Sequence, residues 1–203
     1  MRNYYLQYIE DTNINYFYLF LLHKIAVVDK STRLYNTVKY SSLEELTNRL
    51  NIAYNNINKD NKKQVISKTT LSRVLNSDKN GNYFNYDNVN KVITLKNNFT
   101  KRQTGGKAKF IILTDREIDF LLIHKSELLT RYYLYIKYYC GFSGKNETDF
   151  TANQFLEASK YSTKAGNYKT LLSSYNSLLV NEKLITISKF RFNGQERNKY
   201  SIL

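Results

Sequence analysis

Between Thr163 and Ser174 the chain reads TKAGNYKTLLSS, a run rich in hydroxyl, amide and ammonium groups that contains no carboxylate. Thr163, Lys164, Asn167, Lys169, Thr170, Ser173 and Ser174 are the polar members that a buried stripe would leave outside. Amides and hydroxyls of this kind hydrogen-bond to base edges in a nucleic-acid groove, and lysines bind phosphate oxygens. A similar set, Lys68, Thr69, Ser72 and Arg73, lies in SKTTLSRVL, and a third, Lys189, Arg191, Gln195, Arg197 and Lys199, lies in SKFRFNGQERNK. All three suit recognition of a polyanion better than bond breaking.

Catalytic and metal chemistry find less support. His23 and His124 fall in segments with helical patterning, and neither has Cys or carboxylate neighbours at a ligand spacing. Asp115, Glu117 and Asp119 stand at the opening of a helix, where capping and the helix dipole account for them. Gly105 and Gly106 lack the Lys-Ser/Thr and following helix of a phosphate loop. Cys140 is the sole cysteine, so neither an intramolecular disulfide nor a thiolate cage can form. The expectation is a protein without catalytic residues, metal or cofactor.

The elements that must carry the three polar sets follow from periodicity. NINYFYLFLLHKIAVVDK, residues 13–30, is apolar almost all round, as in a helix buried by its neighbours. SSLEELTNRL predicts a helix from Leu43, with Ser41 or Ser42 as N-cap and Glu44 and Glu45 in the first turn. NIAYNNINKDNKKQ, residues 51–64, has little apolar periodicity and reads as a long loop or insertion. Ser67 then caps a short amphipathic helix with Leu71, Val74 and Leu75 inside. Tyr83 to Tyr86 and Val89 to Leu95 read as a hairpin that turns at Asp87 and Asn88.

The stretch 101–109, KRQTGGKAK, combines positive charge with paired glycines and is the best linker candidate. It separates an N-terminal domain, 1–100, from a C-terminal domain, 110–203. In the second domain FIILT predicts a strand, and Thr114 with Glu117 predicts a capping box. SELLTRYYLYIKYYCGF predicts a core helix, and Thr151 caps another with Phe155 and Leu156 buried. Tyr168, Leu171, Leu172, Tyr175, Leu178 and Leu179 form the buried stripe of a third helix, which places the polar set beginning at Thr163 on its outer side. The alternation in EKLITISKFRF, followed by NGQERN and KYSIL, predicts a hairpin with a connection longer than two residues.

Charge and hydropathy bound the partners. The 203 residues carry 31 Lys+Arg against 17 Asp+Glu, a formal net charge of +14, which draws polyanions. The run from Ile14 to Val28 is interrupted by His23 and Lys24 and is shorter than the roughly 20 residues a bilayer core needs. Glu10 and Asp11 before it do not suit a signal peptide. The expectation is a cytoplasmic protein without a membrane partner.

The segment TANQFLEASKYSTKAGNYKTLLSSYNSLLVNEKLITI resembles the support helix, turn, recognition helix and wing of the winged helix-turn-helix family. The resemblance covers roughly residues 128–203. Residues 13–99 are similar but depart from the pattern in the stretch from Ile52 to Val65, where a helix-turn-helix has a short turn. The fold so implied is mainly α with small β-hairpins, two winged-helix domains in tandem, an architecture similar to that of plasmid replication initiators and regulators of mobile elements. It implies double-stranded DNA as partner. Thr163, Lys164, Asn167, Thr170 and Ser173 are then groove contacts, and Lys169, Lys189, Arg191, Arg197 and Lys199 phosphate contacts. It also implies replication or transcription machinery as further partners and admits a homodimer. Two such units on one chain would suit successive major grooves, about 34 Å apart.

Other readings stay open at this level. Winged helices also serve as protein-interaction modules without nucleic acid. The tyrosines of RYYLYIKYYCGF could stack on unpaired bases, although their helical spacing favours a core. A regulator binding an operator and a replication initiator binding iterated repeats carry the same residues.

Overall fold

The computed structural model describes residues 3–7, 15–28, 35–59, 65–78, 81, 83–96, 110–143, 145–160 and 166–203. The chain is mixed α and β, its helices accompanied by small antiparallel sheets. It divides into two compact units, one holding the described residues up to Glu127 and the other those from Leu128 to Leu203.

The first unit runs β1 (Asn3–Gln7), α1 (Tyr16–Ile25), β2 (Val27–Val28), β3 (Tyr35–Lys39), α2 (Leu43–Ile57), α3 (Lys68–Leu75), β4 (Phe84–Asp87), β5 (Val92–Lys96), β6 (Phe110–Thr114) and α4 (Asp115–His124). No residue of α1 is exposed, in keeping with its unbroken apolar pattern. Its ring Tyr16 meets Tyr83 edge-on with centroids 6.2 Å apart, and Phe17 meets Tyr54 of α2 at 5.6 Å. Ser42 caps α2 by accepting from the Glu45 amide, and Ser67 caps α3 by accepting from the Thr70 amide. Each such cap is worth about 1 kcal/mol.

Helix α2 continues through the stretch that its asparagines make look like a loop. Leu46, Leu50 and Tyr54 are fully buried at four-residue steps, which extends the core stripe to the end of the helix. Asn51 is also buried and fully used. Its Nδ2 donates to the carbonyls of Thr47 and Ile66, and its Oδ1 accepts from the amides of Val65 and Ile66. The supposed insertion from Ile52 to Val65 therefore begins as helix, which runs to Ile57, and a side chain that looked like loop filler ties α2 to the approach of α3. Of that stretch, residues 60–64 lie outside the described residues.

Strand β3 is the second departure from the sequence reading, which had a loop between the first two helices. It pairs antiparallel with β5, in register Tyr35↔Lys96 to Lys39↔Val92, and the sheet order is β2-β3-β5-β4. Val38, Ile93 and Leu95 supply its buried face.

The domain boundary also moves. Residues 110–127 belong to the first unit, not the second. β6 pairs with β1 from Asn3↔Thr114 to Gln7↔Phe110, and Lys24 of α1 holds Asp115 at 2.9 Å and Asp119 at 2.6 Å on α4. Thr114 and Glu117 form the expected capping box. The basic stretch 101–109 lies outside the described residues.

The second unit runs α5 (Glu127–Ser143, entering the unit at Leu128), β7 (Glu147–Asp149), α6 (Ala152–Ala158), α7 (Tyr168–Asn181), β8 (Ile185–Phe192) and β9 (Gln195–Ile202). Its sheet order is β7-β9-β8. Tyr132 of α5 is the centre of the core, meeting Phe150, Phe155 and Tyr200 edge-on. Phe150 stacks on Tyr200 with centroids 4.6 Å apart. Of the α5 tyrosines, Tyr132, Tyr133, Tyr135 and Tyr138 are buried, which removes these four as platforms for unpaired bases, and Tyr139 is half-buried. Cys140 is buried too; burial pushes its thiol up to about 11, and Sγ donates to the Tyr200 carbonyl.

Both units thus share one connectivity. A core helix is followed by a strand, two helices and a hairpin, and the strand after the core helix is hydrogen-bonded to the last strand of the hairpin, β3 on β5 and β7 on β9. The two-residue β2, the β1–β6 pair and α4 are extra to the first unit.

Candidate nucleic-acid interface

Helix α7 places its side chains as its period requires. Leu172, Tyr175 and Leu179 are buried, while Lys169, Thr170, Ser173, Ser174 and Ser177 are exposed. The segment YKTLLSSYNSLLVN holds no Asp or Glu, and the first carboxylate is Glu182 at the C-cap. Ser174 and Ser177 turn their hydroxyls back onto the carbonyls of Leu171 and Ser173. Among the described residues Lys169, Thr170 and Ser173 have no side-chain partner in the protein. They are the groups of this helix free to meet a ligand. Asn167 is exposed at the N-cap position, and its side chain makes no capping bond. Thr163 and Lys164 lie outside the described residues.

The hairpin beside it closes more tightly than its sequence indicates. Phe192 is directly opposite Gln195, which leaves Asn193 and Gly194 as a two-residue turn with φ of 49° and 75°. Two positive φ values in succession define a type I′ turn, whose twist matches that of the strands, and Asn-Gly is the pair that adopts it at least cost. The residues NGQERN are therefore turn and strand, not a long connection.

Pairing inside the hairpin changes the electrostatic picture. Lys189 is paired with Glu196, Lys199 with Glu147 of β7 at 2.7 Å, and Arg197 approaches Asp149 of β7 at 3.9 Å. Three of the cations expected to hold phosphates thus already face carboxylates, which the linear sequence places far from two of them. Arg197 also lies over the Phe192 ring, 4.7 Å from its centroid. Arg191, exposed near the turn, has no carboxylate partner among the described residues. Exposed ion pairs of this kind hold by only about 0–1 kcal/mol, weakly enough for a phosphate to compete.

The corresponding parts of the first unit differ. Lys68, Thr69 and Arg73 of α3 are exposed and Ser72 is half-buried. Burial raises the Tyr18 hydroxyl above its ordinary range, an effect opposed by its hydrogen bond with Thr70 and the charge of Arg73. Its hairpin ends in a carboxylate. Asp87 accepts from the amides of Val89 and Asn90 and from Nδ2 of Asn90, and these bonds, led by those from Asn90, hold its carboxyl below the usual range. The same turn carries Lys91, whose Nζ donates to Oδ1 of Asn88 at 3.0 Å, so this tip holds one carboxylate and one ammonium.

The remaining candidates fall into structural positions. His23 is buried in α1, and the exposed His124 packs its ring 4.5 Å from Phe120. Among the described residues no three His, Cys, Asp or Glu side chains gather as a metal site, and no helix is long and apolar enough to cross a membrane.

One group was missed in the sequence. Asn176 lies on α7 four and seven residues beyond Leu172 and Lys169, and it lines, with Lys169 and Ser173, a cleft of about 350 Å³ between α7 and β9. Its place on the helix was legible, but the cleft it faces was not.

Comparison of the chain with protein-family models, with curated proteins and with solved structures finds no match.

Proposed function

We propose that this protein binds double-stranded DNA through two winged helix-turn-helix units and performs no chemistry on it. In the second unit α6 and α7 form the helix-turn-helix and β8–β9 the wing; in the first, α2, α3 and β4–β5 take those places. One observation carries the reading. The carboxylate-free, unpartnered side of α7 is exposed beside a basic hairpin, in a chain of formal net charge +14. A helix fits the major groove, and its lysine, hydroxyl and amide groups are suited to phosphates and base edges.

The role that fits is a regulator or accessory factor of a plasmid, phage or other mobile element. The repeated connectivity of the two units supports binding of a repeated DNA site, as an initiator acting on iterated repeats would also need. Titrating the full chain with random duplex DNA, single-stranded DNA and duplex RNA at several salt concentrations tests the reading. Duplex DNA is expected to bind tightest, with log affinity falling against log salt by about 0.9 per phosphate contact. Binding indifferent to salt, or preference for single strands, would overturn it.

A further inference from the structure

Side chains alternate between the two faces of a strand, so the register of β8 with β9 sorts the hairpin into an inner and an outer face. Ile185 and Ile187, opposite Ile202 and Tyr200, form the inner face, where Ile185 and Tyr200 are buried. Phe190 and Phe192 have the other parity. They stand on the outer face with the exposed Thr186 and Ser188, and they lie opposite Arg197 and Gln195. Phe192 is 49% exposed and Phe190 is half-buried. β8 is the edge strand of its sheet, and among the described residues no further strand pairs beside the rings.

The first unit turns the matching pair the other way. Phe84 and Tyr86 of β4 are also two residues apart, but they lie opposite Leu95 and Ile93, and Phe84, Leu95 and Ile93 are all buried. Core packing accounts for that pair and leaves the pair on β8 unexplained.

Two rings on one face of a strand are about 7 Å apart. Every nucleobase has a π face, and aromatic side chains on an exposed sheet hold two or three unpaired bases by stacking. Cations stand beside the rings, where the phosphates of such a strand would run. Arg197 lies 4.7 Å from the Phe192 centroid and opposite Phe190, and Lys199 follows on the same face opposite Ser188. Glu147 and Asp149, the carboxylates nearest these cations, belong to β7 on the far side of β9, two strand spacings or about 10 Å from β8. The face thus runs from rings through cations to carboxylates. Bases inside a duplex are already stacked on both sides, so this surface suits unpaired ones.

We propose that the outer face of β8–β9 is a second nucleic-acid site, which binds unpaired bases of a single strand on Phe190 and Phe192 with Arg197 and Lys199 at its phosphates. It is separate from the side of α7 proposed to meet duplex DNA, and it does not depend on that reading.

The full chain is titrated with a labelled oligothymidylate, and with an oligouridylate to tell which sugar the strand carries, each with and without saturating unlabelled random duplex. Wild type is expected to hold the single strand in both conditions. Phe190→Ala and Phe192→Ala should each weaken that hold on the duplex-loaded chain by about tenfold, the scale of one stacked base. Phe192→Leu, which keeps an apolar side chain but no ring, should weaken it as well. Duplex affinity and melting temperature should match the wild type. Phe192 is half exposed, so its variants report even where loss of Phe190 disturbs folding. Single-strand binding unchanged by Phe192→Ala overturns the proposal. So does a Phe192→Leu variant that binds like the wild type, since that marks an apolar face for docking protein. Complete displacement of the single strand by duplex also overturns it, because both would then share one site. A chain that holds the single strand through these rings and retains no duplex supports the proposal and overturns the duplex reading.

Discussion

The two units repeat one connectivity and differ in what they put at the ends of it. In the first, α3 spans Lys68–Leu75 and the hairpin strands are short, closing on Asp87. In the second, α7 spans Tyr168–Asn181 and the hairpin strands run Ile185–Phe192 and Gln195–Ile202, closing on Asn193 and Gly194 with Arg191 nearby. The shared part is the packing of helices on a small sheet, which any sequence with the right apolar stripes satisfies. What differs is reach and charge, and these depend on a few exposed residues. The comparison teaches that a repeated fold need not repeat a surface.

The largest expected effect comes from reversing the charge of the α7 face. Thr170→Glu with Ser173→Glu places two carboxylates where the proposed interface meets phosphates, and like charges so placed cost several kcal/mol. Random-duplex affinity should fall by about a hundredfold or more in a gel-shift titration. Thr69→Glu on α3 should cost clearly less; equal losses would erase the distinction between the units.

A core change in the same helix should act on stability instead. Leu172→Ala removes a buried leucine and should cost about 2–5 kcal/mol by denaturant titration. A loss under 1 kcal/mol would show that α7 is not held as its stripe indicates.

Next in size are the hairpin cations. Arg191→Gln should flatten the salt slope by about 0.9, because Arg191 has no carboxylate partner and is free for phosphate. Lys199→Gln should flatten it less, since Lys199 already faces Glu147. The reverse order would mean that the ion pairs to β7 open fully on binding. Gly194→Ala should leave affinity alone and lower stability by about 1 kcal/mol, because φ is +75° there and a Cβ would meet no neighbour.

The smallest effect is a local pH dependence in the first unit. The Asp87 carboxyl is held below its ordinary range, so its contribution to the hairpin is full above the unfolded value, about pH 3.9, and is lost as pH falls through the lower folded value. Amide exchange at Val89 and Asn90 should speed up in that window, and Asp87→Asn should remove the dependence.

Much of the frame was legible in the chain. The caps at Ser42, Ser67, Thr114 and Thr151 announce helix starts because each pairs a short polar side chain with an orphan amide three residues on. The stripe of α7 was legible for the same local reason. Other features were hidden. Asn51 looked like loop because its partners at Val65 and Ile66 are fourteen and fifteen residues away. β3 and β7 are short, and pairing with a distant hairpin strand defines them as strands.

Local periodicity and capping, which act within a turn or two of helix, dictated from the sequence alone where the helices start and which side of each faces inward. Net charge, a sum over the chain, dictated the sign of the field the protein presents. Pairing across long separations was settled only on folding: which lysines are neutralised by Glu147 and Glu196, and which strand β6 joins. Hydrogen bonds and ion pairs act over a few ångströms, so their partners exist only once folding has brought remote residues together.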